Sequence, residues 1–293
     1  MKLFAPEYYK DFKCIADRCR HSCCIGWEID VDGDTMEKYR SLRGGYGKEI
    51  IESIDEDETP HFRLAENERC PHLDERGLCK IITELGEGYL CHICREHPRF
   101  YNDTPYGKEV GLGMACEEAA RLILSSEGYS VVEEIGEVAE ESCEFFFDAV
   151  REREKVYSIL SDRSVAYSDR LEKIAEKYEI SLSCISKEKI DSLEYLDDKH
   201  KKIFSRFSPD LRIPKELEAY LERALAYFVY RHCTSAWDEE EFRESVGFCL
   251  FCERLVACVT PFCENVFDAA RIVSEEIEYS EDNTEAIKSE FEG

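Results

Sequence analysis

Residues 14–24 read Cys14-Ile-Ala-Asp-Arg-Cys19-Arg-His-Ser-Cys23-Cys24, and the fold expected for the first half of the chain turns on them. Four thiols within so short a stretch are hard to explain as packing. Thiolates are soft ligands for zinc or iron-sulfur clusters, and short spacings let one loop bring several sulfurs to one centre. Outward from this stretch come Cys70, Cys79, Cys91, Cys94 and Cys116, so that nine of the 16 cysteines lie at or before Cys116. The same region is broken by glycine and proline, among them Gly26, Gly44, Gly45, Pro60, Pro71, Gly86 and Pro98. Such punctuation predicts an irregular region pinned by its ligands. The thiols suffice for two metal sites, or for one with further redox or structural thiols.

After Glu117 the texture changes. In Pro214–Cys233 the apolar residues Leu217, Tyr220, Leu221, Ala224, Leu225 and Phe228 recur at helical spacing, with Pro214 suited to a first helical turn. The same period carries 135–160, 165–178 and 242–277, the last broken near Pro261. The expected fold is mostly α: an irregular Cys-rich metal-binding region, residues 1–125, packed on an acidic C-terminal helical bundle, residues 126–293. Acidic stretches at 49–58 and 274–293 are read as an exposed loop and a fraying end.

The 293 residues carry 65 acidic against 38 basic side chains, a net charge of −27. That charge repels a phosphate backbone, and no basic stripe overrides it, so nucleic acid and anionic membrane surfaces are excluded as expected partners. A lysine-rich protein would be attracted. The first ten residues show no secretory pattern, and the longest apolar run, Val246–Cys252, is too short to span a bilayer. The expected location is therefore the cytoplasm, where thiols stay reduced.

The spacing C-x4-C-x3-C-C fits neither a ferredoxin run nor a classical zinc finger, of which Cys91-His-Ile-Cys94 supplies only half. Cys143, Cys184, Cys233, Cys249, Cys252, Cys258 and Cys263 are read as small buried hydrophobes, the Cys249/Cys252 pair included. Glu109-Val-Gly111-Leu-Gly113-Met-Ala115 superficially fits the acidic-x-G-x-G loop of Rossmann-type methyltransferases, but residues 101–108 read as a turn and the alternation of strands and helices is missing. His21, His72, His92 and His97 are expected beside the metal shell more than in it.

The opening Ala5-Pro-Glu-Tyr-Tyr-Lys-Asp-Phe-Lys-Cys14, with Cys19, Cys23-Cys24, Gly26-Trp27, Cys70-Pro71, Gly77-Leu78-Cys79, Leu85-Gly86, Cys94-Arg95, Pro98-Arg99 and Cys116-x2-Ala119-Ala120-Arg121-Leu122, resembles the flagellin lysine-N-methylase family. That family belongs to a wider group of zinc- or iron-chelating proteins. The resemblance is dense over residues 5–125 and thins to a helical pattern with Tyr227-Phe-Val-Tyr-Arg-His232. It implies an enzyme, a lysine N-methyltransferase taking methyl groups from S-adenosylmethionine to flagellin. It further implies an iron-sulfur cluster, [4Fe-4S], held by Cys14, Cys19, Cys23, Cys24, Cys70, Cys79, Cys94 and Cys116.

Cys91 is an addition to that pattern, and His97 replaces an aromatic residue. Arg95 and Arg99 are candidates for holding the carboxylate of a bound amino-acid moiety, or for structural ion pairs. Tyr8, Tyr9, Phe12 and Trp27 are candidates for a dry wall round the metal, Trp27 also for a methylsulfonium. No catalytic base stands out. Two other readings stay open: a non-catalytic zinc-binding interaction module, and an iron-sulfur electron carrier.

Overall fold

In the computed structural model, residues 1–129, 132–139 and 145–292 are described. The chain opens with strand β1 (Lys2–Pro6) and divides into two compact units: Lys13–His97, and a larger one built from Met1–Phe12 together with Pro98 onward.

The smaller unit holds α1 (Gly33–Ser41), α2 (Gly45–Glu52), the two-stranded ribbon β2 (Ile54–Asp55) and β3 (His61–Phe62), α3 (Lys80–Leu85) and α4 (His92–Glu96). Asp32 starts α1 by accepting the Thr35 amide at 3.0 Å, which satisfies one of the donors left over at a helix N-terminus. Its other carboxylate oxygen accepts the His92 amide at 2.7 Å, so one aspartate fixes the starts of α1 and α4. Around Tyr39 and Phe62 lies a core of ten buried residues, two of which are Cys70 and Cys91. The stretch 49–58 is not the simple loop expected: it ends α2 and forms β2.

In the larger unit β4 (Arg99–Thr104) and β5 (Gly107–Leu112) form a hairpin, and β6 (Val132–Glu137) completes a sheet of order β4-β5-β1-β6. β1 runs parallel to β5 and antiparallel to β6. The helical period of 135–160 begins inside β6, and residues 101–108, which read as a turn in sequence, form most of β4 and the start of β5. Pairing with β1, distant in sequence, decides both segments. It also draws residues 98–125 into the larger unit, so the division falls at residue 97 and not at residue 125.

Among the described residues β5 is followed by α5 (Glu117–Ser125), then β6, then α6 (Ala149–Leu160), α7 (Tyr167–Lys177), α8 (Lys187–Ser192), α9 (Asp198–Phe204), α10 (Glu218–His232), α11 (Glu239–Val259) and α12 (Val266–Val273). A π-helical turn, Ser274–Glu278, leads into α13 (Glu281–Lys288). α10 begins four residues after Pro214, whose carbonyl accepts the Leu217 amide. α11 is the central helix, buried on nearly every side, as expected of a helix that is apolar all round. It is long and apolar enough to cross a membrane, yet its most apolar stretch is 78% buried within the protein.

The end of the chain is not a fraying tail. Phe291 is buried against α11, where a Cβ on Gly247 would stand 2.5 Å from its ring. Of the cysteines expected in the core, Cys233, Cys249, Cys252 and Cys258 are buried and Cys263 is half-buried, but Cys184 is exposed on a short turn before α8. Cys143 lies outside the described residues.

Candidate functional site

The smaller unit gathers thiols that are far apart in sequence. Cys70 and Cys91 are in its core, and Cys24, Cys79 and Cys94 pack against that core. The loop bearing Cys23 and Cys24 is tied to the Cys70 loop through two backbone hydrogen bonds, Cys70 N to Cys24 O at 2.8 Å and Gly26 N to Glu68 O at 3.0 Å. Gly26 and Gly77 have φ of +93° and +78°, a region in which a side chain is strained, and both lie in the turns that deliver thiols. Tyr39 donates to the carbonyl of Tyr89 at 2.7 Å and stands 3.6 Å from the Cys91 sulfur.

The electrostatics are those of crowded thiols. Cys24 falls to about 7 because Cys23 hydrogen-bonds to it. Cys91 is likewise lowered by a hydrogen bond from Cys94, whose own value rises in return. Burial pushes Cys70 up to about 12 and raises Cys79. Cys24, Cys70, Cys79, Cys91 and Cys94 all lie within electrostatic reach of one another's cluster. Crowded thiols of this kind, two of them buried and three partly so, are soft donors that could hold a thiophilic cation, which would stabilise the thiolate form of each. Among the described residues, no three His, Cys, Asp or Glu side chains already stand in coordinating geometry.

The other expected site residues are dispersed. Cys14 is exposed on the loop that leads to Cys19, where its sulfur accepts the Ala16 amide at 3.4 Å. Cys116 belongs to the larger unit, at the start of α5. His72 is buried with both ring nitrogens engaged, Nε2 with Ser53 at 2.9 Å and Nδ1 with Tyr46 at 3.3 Å. Burial holds it neutral, at about 4, so it braces the thiol unit and is not a donor to it. Trp27 donates its indole N–H to the Cys23 carbonyl at 2.6 Å and faces His97.

The aromatic wall expected round the metal is divided between units: Tyr8, Tyr9 and Phe12 belong to the larger one. Arg99 is there too, donating to the Tyr9 hydroxyl at 2.9 Å and stacking on Phe12. Arg95, in the smaller unit, contacts His92 and Glu96. The two arginines do not meet as one carboxylate clamp within either unit.

Sequence reasoning missed a second polar cluster, in the larger unit. Glu278, on the π-helical turn, has no exposed side-chain surface, and it accepts from Tyr227 at 3.0 Å and from His232 at 2.6 Å. Arg231 donates to the Tyr227 hydroxyl at 3.0 Å and lies between the rings of Phe100 and Tyr279, 5.0 Å from each. The ion pairs with Arg231 and His232 hold Glu278 below the usual carboxylate range although its burial opposes this. The one signal was the run Tyr227–His232.

The glycines of the 109–113 motif serve this packing. A Cβ on Gly111 would meet the Phe100 ring at 2.3 Å, and one on Gly113 the Tyr279 hydroxyl at 2.4 Å. Glu109 is buried and paired with Arg153 at 2.5 Å. The motif is strand β5 and its end in a four-stranded sheet of order β4-β5-β1-β6, not the glycine loop of a doubly wound sheet.

Over 134 residues, 41% of the chain, it is 30% identical to proteins named lysine-N-methylase from Salmonella typhimurium (strain LT2) and Salmonella choleraesuis (strain SC-B67). The chain is similar to lysine-N-methylases. It is also 28% identical over 131 residues to the flagellar biosynthetic protein FliU of Salmonella muenchen, 75% of which is covered. The matched stretch spans 32% of the length of the two methylases. No family model matches the chain, and neither does any solved structure.

Proposed function

We propose that this chain is a cytoplasmic protein lysine N-methylase that acts on flagellin, with S-adenosylmethionine as methyl donor and an iron-sulfur cluster held by its thiols. The observation that carries the reading is a cluster of thiols in and around the core of the smaller unit, in a chain similar to lysine-N-methylases. Four of Cys23, Cys24, Cys70, Cys79, Cys91 and Cys94 would hold the cluster, and Cys14 and Cys19 are further thiols on the same loop as Cys23 and Cys24. Bound there, an iron-sulfur centre supplies a redox-active or Lewis-acidic site inside a protein environment. The chain's own residues hold the thiols in place: Tyr39 and the Asp32 carboxylate position the Cys91–Cys94 helix. The methyl acceptor must be a neutral amine aligned with the donor methyl, which requires a group to take its proton.

The test is iron, zinc and acid-labile sulfide analysis with a visible spectrum on protein purified without oxygen, followed by a flagellin methylation assay read by mass. Iron with equimolar sulfide and methyl transfer is the expected result. Neither metal bound, or no transfer from a fully loaded protein, overturns the reading. The small core of the unit, ten buried residues including two cysteines, favours one other reading, a structural zinc module. Zinc without sulfide and without methyl transfer would establish it.

A further inference from the structure

Two thiols lie in the core of the smaller unit, Cys70 and Cys91, and the family resemblance gives a role only to the first. Cys91 is 0% exposed. Its companions are polar: the Cys94 thiol hydrogen-bonds to it, and the Tyr39 hydroxyl stands 3.6 Å from its sulfur. A cysteine that served only as a small hydrophobe would call for neither.

Cys91 caps α4 and Cys94 is the third residue inside it. A capping residue and the third residue of its helix face each other, the geometry that a capping box uses. One short turn therefore presents two sulfurs to one centre, as paired Cys-x2-Cys ligands do. The turn is anchored at its Cys91 end, where Asp32 accepts the His92 amide at 2.7 Å and the Cys91 carbonyl accepts the Arg95 amide at 3.0 Å. Anchoring reduces the ordering that ligand binding would otherwise demand.

Further donors lie close by. Cys24 is tied to the Cys70 loop through the backbone, and Cys24 and Cys70 both act electrostatically on Cys94. Cys14, which the resemblance includes, differs: it is exposed, and its sulfur accepts the Ala16 amide of its own loop at 3.4 Å.

We propose that Cys91 is a metal ligand in this chain, paired with Cys94 and taking the place that the resemblance gives to Cys14. The remaining two places fall to Cys70 and the Cys23–Cys24 loop. The inference rests on the reading of these thiols as a metal site, and does not depend on methyl transfer.

Cobalt(II), which gives a charge-transfer band with thiolates, is the probe. Titrated into the reduced, metal-free full chain, it should give a band that Cys91→Ser weakens by about a quarter, one thiolate of four being lost, and that Cys14→Ser leaves unchanged. On the natural chain, where no substitution can disturb the fold, zinc should shift the Cβ NMR resonance of Cys91 downfield and leave that of Cys14 in place. An undiminished band in Cys91→Ser, or a Cys91 resonance that zinc does not move while other thiols shift, would overturn the proposal and leave the metal site standing. Equal weakening in the two variants would overturn the exchange of Cys14 for Cys91. No band and no zinc-induced shift at any thiol of the natural chain would overturn the metal site itself. Coordination by Cys91 in a loaded protein that transfers no methyl group would overturn the methylase reading alone.

Discussion

Glu253, in the middle of α11, offers a direct test of the electrostatics of the larger unit. It is 1% exposed. Tyr167 donates to one carboxylate oxygen at 2.9 Å, and the other has no hydrogen-bond partner. Burial raises the carboxyl from its ordinary 4.5 to about 7, with Arg254 and Tyr167 only partly opposing. The folded state therefore binds a proton more tightly than the unfolded chain, and stability falls as pH rises from the unfolded value through the folded one. Ionising the group in the fold costs about 3 kcal/mol once both states are deprotonated.

Glu253→Gln keeps the shape and the Tyr167 contact and removes the titration. Urea unfolding of both proteins at about pH 5 and about pH 8 should show the variant gaining about 2.5 kcal/mol over the natural protein between the two conditions. Taking the difference cancels every other titrating group. Parallel stability curves, with the gap unchanged to within about 0.5 kcal/mol, would refute the burial argument.

Three further outcomes are expected. Cys23→Ala should lose most bound metal by elemental analysis while Cys184→Ala, on an exposed turn, keeps it; equal losses would mean the thiols are wrongly divided. Arg153→Met should lower the unfolding free energy by about 3–5 kcal/mol, because Glu109 is left charged and buried. Adding Glu109→Gln should restore much of it, as a double-mutant cycle by urea unfolding would record. Gly247→Ala should cost about 1–3 kcal/mol in the same assay by displacing Phe291, and removing Phe291 as well should make the glycine substitution nearly neutral.

The helices of the second half were largely legible. Leu221, Ala224, Leu225 and Phe228 repeat at helical spacing and are buried in α10, because periodicity reports directly which face seeks the core. β6 was not legible. Its exposed residues Glu133, Glu134 and Glu137 carry no alternating pattern, and only the distant partner β1 makes it a strand. The boundary at residue 97 was hidden for the same reason. In the candidate site, clustering along the chain marked Cys14, Cys19, Cys23, Cys24, Cys70, Cys79, Cys91, Cys94 and Cys116 as a group, and only the family resemblance set Cys91 aside as an addition; Cys91 is wholly buried beside Cys94, whereas Cys14 is exposed and Cys116 belongs to the larger unit.

Glu278, Arg231 and His232 fall in two helical segments about 46 residues apart, and nothing local to either segment shows that they meet. The sequence by itself determined the amphipathic helices, the acidic surface and the clustering of soft ligands, because each is a property of composition or near-neighbour spacing. Only the tertiary structure decided which thiols share a core, which strands pair and that Glu278 meets Arg231 and His232. Those outcomes depend on contacts between residues far apart in the chain, whose burial and pairing no local pattern records.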